Sequence, residues 1–218
     1  MRLMQFTASQ IALIVAPVLI LICELFAFLW FTKWFGFTRG YLVAFMLYWI
    51  ICLILSLWIV GYDGFKNLFH FTSAPFGKPA MLGIILLILP PLLAGLTAFR
   101  VNIQRVSFLI LLVSAGLALV NGTLEEVLWR GAYVTVFPKH LTLGYLYPAL
   151  GFAVWHLAPQ IVRPSSMPGG IISFILGALF LGLCWGWVAW QTNSIILATI
   201  SHVLTDFLGL GALVYLSR

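Results

Sequence analysis

Long apolar runs separated by short polar connections make up most of the chain. A helix needs about 20 apolar residues to cross the hydrocarbon core of a bilayer, because each residue advances it by only about 1.5 Å. Seven runs approach this length, near residues 10–31, 41–61, 80–98, 107–124, 143–158, 171–190 and 195–216. The pattern therefore predicts an all-α fold, a polytopic transmembrane helical bundle.

A further helical stretch, 124–137, directly follows the fourth run and carries a polar motif. It either continues the fourth span or forms a separate short helix, which gives seven or eight helices. If the two are separate, the predicted break lies at Asn121 and Gly122, because both residue types favour turns. Pro90 and Pro91 predict a kink in the third span, since proline removes a backbone donor.

Composition agrees with a membrane protein, because 63% of the residues are hydrophobic and only 7% are charged. Soluble domains are about 25% charged. The formal net charge is +6, yet Lys and Arg stand singly between apolar runs and form no basic cluster. This placement suits contact with the headgroups of a lipid bilayer and does not indicate nucleic-acid binding. We expect a multi-pass integral membrane protein of the plasma (cell) membrane, and the sequence specifies no oligomeric state.

Four of the five acidic residues lie within or beside apolar runs. A charged side chain at the centre of a bilayer costs about 2.5–3.5 kcal/mol on insertion scales, so each of these acids needs a compensating role. Glu24 has no motif near it, and we expect it to face the bundle and to be hydrogen-bonded to another helix. Glu125, Glu126 and Asp206 belong to polar motifs, which makes these motifs the candidates for function.

The first motif is Glu-Glu-Val-Leu-Trp-Arg at positions 125–130. In a helix, Glu126 and Arg130 share one face, so they can form an ion pair that offsets the cost of burial. Glu125 points about 100° away and lacks Arg130 as a partner. An acid without its own counter-charge suits a general base for water. The motif predicts structural roles for Glu126 and Arg130 and a chemical role for Glu125; the alternative is a polar helix end at the membrane interface.

The second motif is Phe-Ala-Val-Trp-His at positions 152–156, within an otherwise apolar helix. Its Phe152 and His156 are four residues apart and share a helical face. A single histidine in such a helix is either a hydrogen-bonded packing residue or a catalytic group, and this motif alone is compatible with both.

The third motif is His-Val-Leu-Thr-Asp at positions 202–206, and its spacing again places His202 and Asp206 on one face. Such a pair can stabilise an oxyanion, orient a substrate carbonyl or hold a metal, and it can also serve as a polar seam between two helices. If the three motif-bearing helices converge, their ionisable groups share partners and the burial cost is shared too. We therefore predict one common buried site.

In this order, late in a polytopic chain, the three motifs resemble those of the CPBP (Abi) family. That family includes CAAX prenyl endopeptidases of the prenyl protease 2 type and bacterial members tied to bacteriocin immunity. The resemblance covers about residues 107–216 and implies that Glu125 activates water with His156 as its partner. It also implies that His202 and Asp206 support the oxyanion, although the prenyl proteases usually have Asn in place of this aspartate.

Glu126, Arg130 and Phe152 match the remaining motif positions, and the resemblance implies that they support the catalytic residues. We expect the N-terminal transmembrane helices to occupy residues 1–106 and a CPBP-type catalytic core to occupy residues 107–218. Both parts belong to one integrated membrane domain.

The sequence is compatible with both a metal-dependent and a metal-free reaction. Glu125, His156 and His202 could bind Zn²⁺ with a water in the fourth position. The same groups could activate water directly, with the glutamate as base and the histidines as hydrogen-bonding partners. The chain lacks the HExxH spacing of many zinc proteases, which favours the metal-free alternative and no required cofactor.

These inferences predict an intramembrane endopeptidase that hydrolyses a peptide bond of a membrane-associated or prenylated peptide or protein through glutamate-activated water. One alternative is a non-proteolytic member of the same family, acting as an immunity factor or a scaffold. A second alternative is a proton-coupled transporter that uses the buried acids as a relay. Transporters are often built from repeated halves, whereas the motifs here all lie after residue 120, which argues against the second alternative.

Overall fold

The computed structural model describes residues 6–216, and this part of the chain consists of helices and their connections, without a β-strand. The helices are α1 (Ala8–Phe35), α2 (Phe37–Asn67), α3 (Ala80–Arg105), α4 (Phe108–Val136), α5 (Tyr147–Trp155), α6 (Leu157–Val162), α7 (Gly170–Thr192), α8 (Ile196–Leu208) and α9 (Leu213–Leu216). A π-helical turn, Thr142–Leu146, leads into α5. The prediction of an all-α helical bundle is confirmed.

Within residues 6–216, five helices (α1 to α4 and α7) are long and apolar enough to cross a membrane, judged by length and composition. Two of the seven predicted spans are shorter than expected. The helix predicted at 143–158 is interrupted at His156, and the helix predicted at 195–216 ends at Leu208. Beyond this end the chain turns at Leu210, whose φ of 55° lies in the left-handed region. These two helices therefore lie in the bundle as shorter elements.

Helix α4 continues through Asn121 and Gly122, so residues 124–137 extend the fourth span and do not form a separate helix. Gly122 serves close packing here: a Cβ at this position would lie 3.0 Å from the backbone nitrogen of Val203 in α8. A glycine that lets two backbones approach is common where helices cross in membranes. A π-helical turn, Val127–Ala132, widens α4 directly after its two glutamates, as such turns often do at functional sites.

The proline pair in α3 changes how this helix contacts α8. A π-helical turn, Gly95–Phe99, follows the prolines, so the backbone does become irregular. Pro91 has no N–H, which leaves the carbonyl of Leu87 without its usual backbone donor. The Ser201 hydroxyl of α8 donates to this carbonyl at 2.6 Å and accepts a bond from the Trp185 Nε1 at 2.9 Å. The proline thus creates a hydrogen-bonded contact between α3 and α8.

Glu24 lies on the face of α1 that packs into the hydrophobic core with Ile20, Ala27 and Phe28. It is fully buried, as expected, but within the described residues neither of its carboxyl oxygens has a hydrogen-bond partner. The prediction that Glu24 is hydrogen-bonded to another helix is therefore wrong. The reason is its location, because donors are scarce on a helix face that is otherwise apolar.

Candidate active site

The three motifs lie on α4, α5 and α8, and their polar side chains meet inside the bundle. Glu125, Glu126, Arg130 and His202 are each at most 2% exposed. Four groups of this kind are stable inside a membrane protein only if they are partnered. We call Glu125, Glu126, Arg130, His202 and Asp206 the motif cluster.

Glu126 connects two members of the motif cluster. Its Oε1 lies 2.9 Å from the Nη1 of Arg130 and 2.9 Å from the Nδ1 of His202. The predicted ion pair within the first motif is therefore present. A carboxylate at one ring nitrogen fixes the orientation of an imidazole and the position of its protons. Glu126 thus directs the other nitrogen of His202, Nε2, toward Glu125.

Aromatic rings surround the charged groups of the motif cluster. The guanidinium carbon of Arg130 lies 4.3 Å from the ring centre of Phe152 and 5.4 Å from that of Trp185. The imidazole of His202 is stacked on Trp185 at 3.9 Å. Contacts between a cation and aromatic faces contribute about 2 kcal/mol when water is excluded. The supporting position predicted for Phe152 therefore has a physical basis, since its ring covers Arg130.

Glu125 is held by three neighbours. The Tyr48 hydroxyl donates to its Oε1 at 2.9 Å, and the Asn121 amide donates to its Oε2 at 3.0 Å. The Nε2 of His202 lies 3.3 Å from the same Oε2. Glu125 has no ion pair with Arg130 in the described structure, as predicted, but His202 gives it an ionisable partner. The expectation of an acid without any counter-charge is therefore too simple.

Asp206 lies at the edge of the motif cluster, where its side chain is 28% exposed. Its Oδ1 is 3.6 Å from the Nε2 of His202, and its Oδ2 accepts a bond of 2.8 Å from the Asn121 amide. The pairing of His202 with Asp206 that the spacing predicts is thus observed, although at a longer distance than the contacts to the two glutamates. His202 consequently has a carboxylate at each ring nitrogen and a third beside Nε2.

His156 occupies the point where α5 ends. Pro159 follows three residues later. The backbone N–H of His156 donates to the carbonyl oxygen of Val154, which is a tighter turn than in an α-helix. The ring nitrogen Nδ1 lies 2.6 Å from the carbonyl oxygen of Phe152. Because a carbonyl only accepts, this Nδ1 carries the proton, and in the neutral ring Nε2 is an acceptor.

A cavity of about 520 Å³ is lined by Glu125, His156, His202 and Asp206 together with many apolar side chains. Ligand-binding cavities usually measure about 300–1,000 Å³. A larger cavity of about 620 Å³ lies between α3 and α8, but its lining contains no ionisable residue. We therefore assign the chemistry to the smaller cavity. Within the described residues His156 makes no hydrogen bond to Glu125. Both side chains line the same cavity.

Several neutral residues complete the site and were not identified from sequence. The Tyr48 hydroxyl accepts a bond of 2.7 Å from the Trp129 Nε1 and its ring is stacked on Trp155 at 3.7 Å. The Trp49 Nε1 donates to the Oδ1 of Asn121 at 2.8 Å. One signal was present in the sequence: a polar side chain inside a hydrophobic span needs a partner in the bundle. That signal does not identify which partner.

The predicted zinc ligands do not form a metal centre as they are arranged. In the part of the chain that the structure describes, no three His, Cys, Asp or Glu side chains form a group that could hold a metal ion. The two nitrogens of His202 face the carboxylates of Glu126 and Glu125. The zinc alternative stays a prediction, and we assign no step to a metal.

Comparison with known proteins gives one match. A family model described as type II CAAX prenyl endopeptidase, Rce1-like, matches residues 105–208, the segment that contains all three motifs. No match to a curated protein or to a solved structure was found. The family and the five apolar helices identify an integral membrane protein with the character of a peptidase. The match over residues 105–208 supports, for this part of the chain, the CPBP family of intramembrane proteases.

Proposed function

We propose that the protein is an endopeptidase in which Glu125 activates water to hydrolyse a peptide bond of a membrane-associated substrate. The observation that supports this most is the contact of Glu125 with His202 beside a cavity that His156 also lines. A base, two histidines and space for a substrate then lie in one water-poor location. Electrostatic interactions are stronger there than in bulk water.

In the proposed reaction, Glu125 takes a proton from water while the water oxygen attacks the carbonyl carbon of the scissile bond. The acceptor Nε2 of His156 orients the attacking water by accepting its second proton in a hydrogen bond. The carbonyl oxygen gains a negative charge in the tetrahedral intermediate. When the C–N bond breaks, the leaving amine receives the proton that Glu125 holds, so the carboxylate is restored.

His202 is the donor that we assign to the oxyanion. Its Nδ1 is engaged by Glu126, and its Nε2 lies between Glu125 and Asp206. An ionised aspartate has no proton to give, so Asp206 acts on the oxyanion by orienting the Nε2–H of His202. This assignment accommodates an aspartate at a position where the prenyl proteases usually have asparagine.

Two observations support the proposed substrate class: the family description and the apolar lining of the cavity, which includes Phe45, Leu93 and Leu181. We propose a peptide or protein C-terminus delivered from the bilayer, with a prenylated CAAX sequence as the first candidate. The suitable probe is a quenched fluorescent peptide that ends in a farnesylated CAAX sequence. An identical peptide without the farnesyl group serves as its control.

The test measures cleavage of both peptides by purified protein in liposomes. We expect Glu125→Ala to lower the cleavage rate by roughly 10²–10⁴-fold, the usual contribution of a general base, and His156→Ala and His202→Ala to lower it strongly. Asp63→Asn, which changes an exposed acid of α2, should leave the rate unchanged. Activity that survives all three active-site changes refutes the assignment.

A second arm of the experiment tests the metal and the non-proteolytic alternative. We expect cleavage to continue after dialysis against a chelator, whereas a zinc enzyme would lose activity and regain it with added Zn²⁺. A scaffold or immunity factor would show no cleaved protein when membrane proteomes of cells with the wild type and with Glu125→Ala are compared.

A further inference from the structure

We propose that Asn121 is a positioning residue that aligns Glu125 and Asp206 for the proposed reaction. It belongs to none of the three motifs, and it lies one helical turn before Glu125 on the same face of α4. The inference rests on the function proposed above. It concerns how the general base is oriented before water and substrate bind.

The orientation of the Asn121 amide is fixed by a single neighbour. The Trp49 Nε1 donates to one end of this amide at 2.8 Å. An indole N–H can only donate, so the end that it contacts must be the oxygen. The NH₂ end therefore faces away from Trp49, and a rotation of the amide by 180° would place two donors against each other.

The NH₂ group of Asn121 is shared by two carboxylates. It lies 3.0 Å from the Oε2 of Glu125 and 2.8 Å from the Oδ2 of Asp206. Since the group has two protons, each carboxylate receives one of them. Two carboxylates this close repel each other strongly at low dielectric. A neutral donor between them reduces the repulsion without adding charge, and it fixes the distance between them.

Glu125 thereby has a donor on each oxygen, because Tyr48 occupies Oε1 and Asn121 occupies Oε2. The plane of its carboxylate is set before the reaction begins. Displacement of a reacting group by about 1 Å can cost roughly 10²-fold in rate. Loss of the amide should therefore lower kcat with little change in KM, since substrate binding uses other parts of the cavity.

The decisive variant is Asn121→Asp, which keeps the acceptor for Trp49 and replaces the NH₂ group by an oxygen. We expect kcat on the farnesylated peptide to fall about 100-fold, with KM changed by no more than about threefold. The double variant Asn121→Asp with Asp206→Asn returns one amide and one carboxylate to the pair, with the two exchanged. Its kcat should stay as low as that of Asn121→Asp, because the carboxylate at position 121 still faces Glu125 where the NH₂ group was.

Two further variants separate orientation from simple damage. Asn67→Asp makes the same chemical change at an exposed position of α2 and should leave kcat unchanged. Trp49→Phe adds no charge and only releases the amide oxygen, so kcat should fall about three- to tenfold. Trp49→Phe should have no additional effect in an Asn121→Ala background, because the group that it orients is then absent.

The outcomes distinguish this inference from the proposed function. If Glu125→Ala is inactive while Asn121→Asp keeps the wild-type kcat, or regains it with Asp206→Asn, the positioning role is wrong and the proposed function stands. If Glu125→Ala stays active, the proposed function itself is wrong. Should Asn121→Asp fail to fold, as shown by size-exclusion chromatography, an unchanged kcat in Trp49→Phe overturns the inference.

Discussion

The segment matched by the family and the helices before it supply different kinds of residue to the same site. Residues 105–208 carry the ionisable groups, which pair with one another through Glu126 and His202. Helix α2, outside that segment, supplies the neutral hydrogen-bond donors of Tyr48 and Trp49. Charged pairs hold the motif cluster together, while neutral donors from a different helix orient its members. The first kind of residue forms a visible motif, and the second does not.

The largest effect on stability should come from breaking a charged pair of the motif cluster. Arg130→Met leaves Glu126 buried without its guanidinium partner, and breaking a buried pair costs about 3–5 kcal/mol. Thermal and denaturant unfolding in detergent would measure the loss. The double change Glu126→Gln with Arg130→Met should recover part of it, and Arg100→Met, at an exposed position, should have almost no effect. Equal stability of Arg130→Met and the wild type would contradict the comparison.

Tyr48→Phe tests the neutral hydrogen-bond donors that α2 supplies to the site. It removes the donor to Glu125 and leaves the Trp129 Nε1 buried without a partner. We expect a loss of stability of about 2–3 kcal/mol, together with a fall of about tenfold in kcat. Tyr62→Phe, on an exposed part of the same helix, is the matched control. A Tyr48→Phe protein that keeps full activity would show that α2 only packs against the site.

Two buried serines, Ser56 in α2 and Ser201 in α8, allow the two regions to be compared directly. Ser201 bonds to Leu87 and Trp185, whereas the hydroxyl of Ser56 has no partner in the described structure. Ser201→Ala should therefore cost about 1–2 kcal/mol, because it leaves a buried carbonyl and an indole N–H unsatisfied. Ser56→Ala should be neutral or stabilising, since it removes an unpaired hydroxyl. The unfolding midpoints of both variants measure the difference in stability. Equal shifts of the two midpoints would contradict the prediction.

Glu24→Gln should have the smallest effect. Its carboxyl group contacts no donor in the described structure, and nothing links it to the motif cluster by a hydrogen bond. We expect cleavage of the farnesylated peptide to change less than about twofold and stability to stay within about 0.5 kcal/mol, the usual range for changes without a lost partner. A large loss of activity with intact folding would instead assign this acid a role in the reaction.

The convergence of the motif cluster was predictable because it follows from spacing and cost. Residues four apart share a helical face, so Glu126 was expected to pair with Arg130. Buried ionisable groups need partners, so those of the three motifs were expected to share one site. The contacts of Glu125 with Tyr48 and Asn121 were not predictable in this way. Tyr48 is 77 positions away in the chain, and nothing in its local sequence distinguishes it from other tyrosines in apolar spans.

The helix boundaries also depend on contacts that the local sequence does not reveal. Each predicted apolar run corresponds to a helix of the described structure, but Gly122 was compatible with both a break and a close helix contact. Only the position of Val203 on the neighbouring helix decides between them. The wrong prediction for Glu24 has a similar origin, because sequence indicates that a buried acid needs a donor and cannot indicate whether the facing helix provides one.

The bond between Ser201 and Leu87 also determines the height at which α8 lies along α3. A slide of one helical turn would move α8 by about 5.4 Å and leave the carbonyl freed by Pro91 without a donor. The same slide would carry His202 away from Glu126. One imino acid in a helix that carries none of the motifs therefore affects the axial alignment of a histidine on another helix. Sequence changes far from the reacting groups can alter catalysis by changing that alignment.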